Sequence, residues 1–230
     1  MKKQTQIRVL LNGAQGKMGR AIARLIAENP QKNLIVSTTR EAGQTDVTEP
    51  FDVVVDFSTP QGAQEAFLLA KKHKKPFLTG TTNLPETFLF SLQSEEKIPV
   101  FFAPNVSLSV YFFTELVKQA CHMYKGYQKA LHEVHHVHKK DAPSGTAKRL
   151  AAEMNLPVEQ VTYERMGETV GTHQATLTSD LDEITLTHKA TNRDLFAASV
   201  LDIAAWLVKR EGGFYTMSDF AKFKLKELKK

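Results

Sequence analysis

Residues 7–19 read IRVLLNGAQGKMG. The apolar run from Ile7 to Leu11 is a short strand, and Asn12-Gly13 ends it. From Arg20 the apolar residues Ile22, Leu25 and Ile26 recur at helical spacing until Asn29-Pro30 stops them. Gly13, Gly16 and Gly19 therefore lie where a buried strand turns into a helix. Glycines there permit a tight turn, let backbone approach a pyrophosphate and allow close helix–strand packing. A phosphate would sit on the N–H groups that open the helix. The spacing is G-x-x-G-x-x-G rather than G-x-G-x-x-G. By itself it is a weak signal, because any sharp strand-to-helix turn favours glycine. The strand before it and the helix after it give it weight.

The pattern continues outward from this turn. Residues 34–38 (LIVST), 52–57 (DVVVDF), 76–80 (PFLTG) and 99–103 (PVFFA) read as strands. Helices are expected over about 61–73 and from Pro85. Apolar strands alternating with helices indicate a parallel sheet covered on both faces. The pattern changes near Asn105, and a domain boundary is expected at 105–107. A helix over 108–124 follows, then alternating segments at 128–138, 172–179 and 183–189, with a helix near 146–154. Helices also begin near Asp194 and Ser218. The fold class is therefore α/β: a Rossmann-like parallel-sheet domain plus a smaller mixed-sheet α/β domain.

The 230 residues suffice for one large domain or two modest ones. Hydrophobic residues make up 42% and charged residues 24%, as in ordinary globular proteins. No apolar run reaches membrane-spanning length, and the N-terminal stretch lacks the apolar region of a signal peptide. Cys121 is the single cysteine, which fits a reducing, cytoplasmic setting. The formal charge of +5 is spread out, apart from Lys71, Lys72, Lys74, Lys75 and the C-terminal tail. It suits an anionic small molecule or a phosphate-bearing cofactor. Nucleic-acid binding would need basic clusters with interleaved aromatics, which are missing.

The end of the second strand bears on the cofactor. An acid about 20 residues past the glycines would bind the ribose hydroxyls of NAD. Here the residues are Thr38-Thr39-Arg40-Glu41, and no acid closes the strand directly. Arg40 could pair with a 2′-phosphate, so NADPH is expected to serve at least as well as NADH.

Residues 132–147 read HEVHHVHKKDAPSGTA. Three readings compete. On a strand, His132, His136 and His138 share one face, which could begin a metal site, but Glu133 falls on the other face and no second His/Cys cluster follows. A solvated strand is the second reading. The third uses what comes next: Asp141-Ala142-Pro143 turns the chain, and Ser144, Gly145 and Thr146 open a helix suited to a carboxylate. Lys139 stands just before it, and a histidine titrates in the range a general acid needs.

This run resembles the signature of the dihydrodipicolinate reductase family. The rest of the chain agrees in order: GAQGKMG, DFSTPQG, GTTN at 80–83, APNVSLSV at 103–110 and THKA at 187–190. The resemblance implies a dinucleotide-binding domain of 1–106 with 209–230, and a substrate-binding and oligomerisation domain of 107–208. It implies NAD(P)H-dependent reduction of 4-hydroxy-tetrahydrodipicolinate to tetrahydrodipicolinate, in the diaminopimelate route to lysine. It makes His135 the proton donor and Lys139 the second catalytic residue. His136, Gly145 and Thr146 match substrate-binding positions. Gly13, Ala14, Gln15, Gly16, Lys17 and Met18 match cofactor contacts, as do Gly80, Thr81, Thr82, Ala103, Pro104, Asn105 and Val106. Thr39 and Arg40 join them from the second strand. No metal is implied.

Some positions depart from the family pattern. Lys17 replaces a common arginine, Asn83 replaces the last glycine of G-T-T-G, and Val106 replaces a phenylalanine. The segment between Tyr163 and Gly171 is short, and that region builds the family's tetramer, so a dimer or a tetramer is expected. Two other readings stay open on the residues alone: a different NAD(P)-linked dehydrogenase of a small acid, and a dinucleotide-sensing protein without turnover.

Overall fold

A computed structural model describes residues 6–40 and 47–228. The chain forms two compact units. One comprises residues 1–106 with 196–230, the other residues 107–195.

The first unit is built on six parallel strands. They are β1 (Ile7–Asn12), β2 (Leu34–Arg40), β3 (Val53–Asp56), β4 (Phe77–Thr79), β5 (Pro99–Phe102) and, late in the chain, a strand at Gly213–Tyr215. Their spatial order places the late strand beside β5, then β4, β3, β1 and β2. The chain passes from β1 to β2 on one side and to β3 on the other. The topological switch point therefore lies between β1 and β3, directly after the glycine turn.

Alternate strand residues point to opposite faces. Leu10, Val54, Phe77 and Val100 cluster with Ala63, Ala66 and Phe67 of α2 (Pro60–His73) and with Phe88 and Leu92 of α3 (Glu86–Gln93). Val9, Leu11, Val53, Val55, Leu78 and Phe101 are buried on the opposite face. Both faces are covered, which explains why these strands are apolar throughout. α1 (Lys17–Glu28) buries Gly19, Ile22 and Ile26. α2 starts cleanly because Thr59 accepts from the Gly62 N–H at 3.1 Å and Pro60 occupies the first turn.

The second unit contains α4 (Leu108–Met123), β6 (Gln128–His135), α5 (Gly145–Met154), β7 (Thr162–Arg165), β8 (Gly171–Thr178) and β9 (Glu183–Ala190). Its sheet runs in the order β7-β6-β8-β9. β6 pairs with β7 in parallel and with β8 antiparallel, and β8 with β9 antiparallel. One face packs on α4 and α5 through Phe113, Val117, Leu131, Leu150, Met154, Ala175 and Leu177. The expectation of a parallel sheet plus a smaller mixed sheet holds.

Two features differ from the sequence reading. The strand pattern over 128–138 ends at His135, and β7 and the strand at Gly213–Tyr215 (hereafter β10) have no counterpart in that pattern. The return to the first unit comes at Phe196, not at 209. The reason is α6 (Asp194–Leu207), whose Trp206 stacks edge-on against Phe101 of β5 at 6.3 Å. Trp206 also packs edge-on with Tyr215 of β10 and with Phe220 of α7 (Met217–Glu227). An aromatic this large anchors its helix wherever it is buried. The second crossing therefore lies at 195–196.

Candidate active site

Four neighbouring strands of the first unit each end on a buried polar residue: Asn12, Arg40, Asp56 and Thr79. They form one network. Asp56 Oδ2 accepts from the hydroxyls of Thr79 and Thr81, both at 2.7 Å. Its Oδ1 accepts from Asn12 Nδ2 at 2.6 Å and from the Ser58 hydroxyl at 2.5 Å. Asn12 Oδ1 in turn accepts from Arg40 Nη1 at 3.0 Å, and Arg40 Nη2 meets Glu65 of α2 at 2.7 Å. Buried polar groups are costly unless satisfied, and these are satisfied together. The network fixes the carboxyl ends of the strands, beneath the glycine turn.

The turn itself is tightly packed. Gly13 has φ +80, and a Cβ there would lie 2.4 Å from the Phe57 carbonyl oxygen. A Cβ on Gly19 would lie 2.2 Å from the Gly13 carbonyl oxygen. Gly80 faces the Phe57 ring, which a Cβ would meet at 2.2 Å. α1 opens at Gly16 with no side-chain cap and no acid in its first turn. Gln15, Gly16 and Lys17 are exposed there. These residues fit a phosphate-bearing nucleotide, because the first turn of α1 carries no acid to compete for its N–H groups.

The remaining residues expected to hold the cofactor collect at the same edge. Ala14 and Met18 belong to the turn and α1. Gly80, Thr81 and Thr82 follow β4, and Ala103, Pro104, Asn105 and Val106 follow β5. Thr81 is spent on Asp56, whereas Thr82 is exposed. Asn83 has φ +57, so asparagine stands where the family's glycine would supply the same left-handed backbone.

Arg40 requires a correction. Its side chain is 1% exposed and turned inward on Asn12 and Glu65, so it does not present a fork to a 2′-phosphate. Thr39 is exposed beside it, and Glu41 lies outside the described residues. Arg40→Met should accordingly raise the KM for NADPH and NADH by similar factors and lower the melting temperature. A rise confined to NADPH, in steady-state kinetics with both cofactors, would refute the inward role.

In the second unit β6 delivers Glu133 and His135 to one face, and the antiparallel register sets His173 of β8 opposite Glu133. Glu133 is fully buried. Its Oε1 accepts from the Ser144 N–H at 2.9 Å and faces Arg165 Nη2 at 3.4 Å. Its Oε2 lies 3.3 Å from His135 Nδ1 and 3.5 Å from His173 Nε2. Burial alone would raise the Glu133 carboxyl, but the contacts with His135, His173 and Ser144 outweigh it and hold the group well below the ordinary carboxylate range. Burial pushes His173 below the usual histidine value, against the pull of Glu133.

His135 sits at the end of β6, and its Nε2 lies against Gly171, where a Cβ would come within 2.9 Å. The chain then turns through His136 and Lys139, with a cis Ala142–Pro143 peptide. Lys139 Nζ pairs with Asp141 at 2.7 Å. Arg165 ties this turn down, donating to the carbonyl oxygens of Asp141 at 2.6 Å and Lys139 at 3.4 Å. Ser144 caps α5 by accepting from the Ala147 N–H at 3.1 Å, and Gly145 and Thr146 form the first turn.

The structure thus brings His135, His136, Lys139, Gly145 and Thr146 into one region of the second unit. It adds Arg165, Gly171 and His173, to which the sequence alone gives no place at the centre, and it sets Ser144 against Glu133. The strand alternation does put Glu133 on the face away from His132, His136 and His138. That face is the one His135 occupies, and the partner His173 becomes visible only with the β6–β8 register.

The burial of His173 and Glu133 implies a pH effect. His173 in the native fold lies below its ordinary value of 6.5, so the unfolded chain takes up that proton first. Stability present above about 6.5 is therefore lost as pH falls through the native value. Glu133 acts in the same direction below its ordinary 4.5. The melting temperature should fall between pH 7.5 and 5.5, and further towards pH 4. A flat or rising profile would contradict the buried, neutral His173.

A family model described as dihydrodipicolinate reductase, N-terminus, matches residues 7–106, and one described as dihydrodipicolinate reductase, C-terminus, matches residues 109–221. The 4-hydroxy-tetrahydrodipicolinate reductase of Campylobacter jejuni subsp. jejuni serotype O:6 is 34% identical over 93% of this chain and 98% of its own. That of Xanthomonas campestris pv. campestris strain B100 is 36% identical over 93% and 97%. The solved dipicolinate-bound dihydrodipicolinate reductase of Paenisporosarcina sp. TG-14 shares the fold, with a TM-score of 0.74, 19% identity and coverage of 92% and 98%. Matched in both halves, and with these relatives covered almost end to end, the chain belongs to the dihydrodipicolinate reductase family.

Proposed function

We propose that this protein reduces 4-hydroxy-tetrahydrodipicolinate to tetrahydrodipicolinate with NADH or NADPH, in the diaminopimelate route to lysine. The observation that carries the reading is His135, held between the buried Glu133 carboxylate and Gly171, beside Lys139 and the capped start of α5. A hydride acceptor of this kind is a dianion, and it needs cations, N–H groups and one proton.

Gly13 to Met18, with Gly80 to Thr82 and Ala103 to Val106, hold the dinucleotide. Bound there, NADH or NADPH supplies the hydride. Gly145, Thr146 and His136 receive a substrate carboxylate at the start of α5, where N–H groups converge. Lys139 exchanges its Asp141 partner for substrate. Glu133 faces His135 Nδ1, so Nε2 gives up the proton to the ring position that becomes electron-rich on reduction. Water forms from the 4-hydroxyl and a proton lost from the adjacent ring carbon, and the hydride with the His135 proton reduces the ring double bond that this leaves. Burying Glu133 fully ionised keeps the ring in one orientation, as a third group does in catalytic triads.

No helix among the described residues is long and apolar enough to cross a membrane. The cytoplasmic setting and a homo-oligomer, dimer or tetramer, belong to this proposal. The buried single Cys121 is in keeping with a reducing compartment.

Mass spectrometry of the product tests the chemistry. Incubation with NADPH and 4-hydroxy-tetrahydrodipicolinate should yield a compound with two hydrogens gained and one water lost. A product that keeps the oxygen would contradict the assignment.

A further inference from the structure

Among the described residues, Glu133, His135 and His173 are the one group whose ligand atoms converge as a metal site requires, all lying within 4.8 Å of one another. All three residues are buried. Glu133 Oε2 and His135 Nδ1 are buried atoms without a hydrogen-bond partner, aimed at each other across 3.3 Å. His173 Nε2 stands 3.5 Å from the same oxygen and 3.3 Å from the Ser144 hydroxyl. Ligands about 2.0–2.1 Å from a zinc ion at tetrahedral angles are roughly 3.3–3.4 Å apart, close to two of these edges. Two imidazoles and one carboxylate are a donor set for zinc-type ions rather than for magnesium or calcium. The other carboxylate oxygen is already held by the Ser144 N–H and Arg165, the outer support that orients a metal-bound carboxylate. Arg165 approaches that other oxygen, Oε1, leaving Oε2 to the histidines.

We propose that Glu133 Oε2, His135 Nδ1 and His173 Nε2 form a site for one zinc-type divalent cation, and that its occupation silences the reductase by immobilising His135. The silencing rests on the role proposed for His135; the binding does not. A water completes the coordination, and removing the metal restores the proton donor.

Cobalt(II) is the direct probe, because tetrahedral cobalt absorbs strongly in the visible. Chelator-treated wild type should bind one cobalt per chain with that absorption, and zinc should displace it. His173→Gln and Glu133→Gln should weaken binding at least about a hundred-fold. His138→Ala should leave it unchanged, since His138 is exposed beside Glu168. Absent tetrahedral absorption, binding retained by a folded His173→Gln, or binding lost in His138→Ala would each overturn the site. Imidazole proton spectra of the wild type test the site without any variant: His135 and His173 shift on zinc addition, and unmoved signals refute the site. Zinc should abolish turnover in step with occupancy and EDTA should restore it. Full occupancy with full activity would refute the silencing and the donor role of His135, but not the binding.

Discussion

Replacing His135 with alanine is expected to lower kcat by roughly 10²–10⁴-fold, the usual worth of a positioned general acid, while the dissociation constant for NADPH stays within about two-fold. The split follows from the architecture. His135 belongs to the second unit and rests on Glu133 and Gly171, whereas the glycine turn belongs to the first. The variant opens a cavity beside Glu133 but leaves the Ser144 and Arg165 contacts to Oε1 in place. Steady-state kinetics and fluorescence titration of NADPH separate the two effects. An unchanged kcat would mean that another group delivers the proton. A large loss of cofactor affinity would mean that the residue is structural.

Gly13→Ala should be at least as damaging, by another route. The backbone there has φ +80, which costs a residue with a Cβ about 1–2 kcal/mol. The new methyl would also meet the Phe57 carbonyl at 2.4 Å, and backbone cannot move aside cheaply. A total loss of roughly 3 kcal/mol, lowering the melting temperature by about 6–12 °C, is expected. Cofactor affinity should fall about a hundred-fold as the turn is pushed off the strand ends. Gly16→Ala is the internal control. Its φ is −71 and its nearest new contact 3.2 Å, so it should cost much less. Equal effects at the two positions would remove the packing argument.

The parallel sheet is legible in the sequence because its strands are buried on both faces and therefore apolar throughout. The glycine turn is legible because strand, glycines and helix follow in unbroken order. β7 and β10 escape because they are short, with no residue of either fully buried. The return to the first unit comes before residue 209 because α6 packs Trp206 against Phe101, a tertiary contact that no local pattern displays. Arg40 misleads because sequence gives a side chain's charge but not its direction; Glu65 of α2, beyond β3 in the chain, decides that. The histidine stretch points to His135 and Lys139, and strand alternation puts Glu133 beside His135, but His173 joins them only through a register between strands far apart in sequence. Pairing of that kind is invisible to a local pattern.

This chain is expected to couple nicotinamide oxidation to the reduction of one cyclic dicarboxylate. The direct measurement supplies purified protein with substrate formed in situ from pyruvate and aspartate semialdehyde by the preceding synthase, with NADPH and NADH in parallel. Rapid oxidation that depends on that substrate, with either cofactor, is the expected result. Cofactor binding without oxidation would contradict it and leave a dinucleotide-binding protein whose histidine cluster serves another purpose.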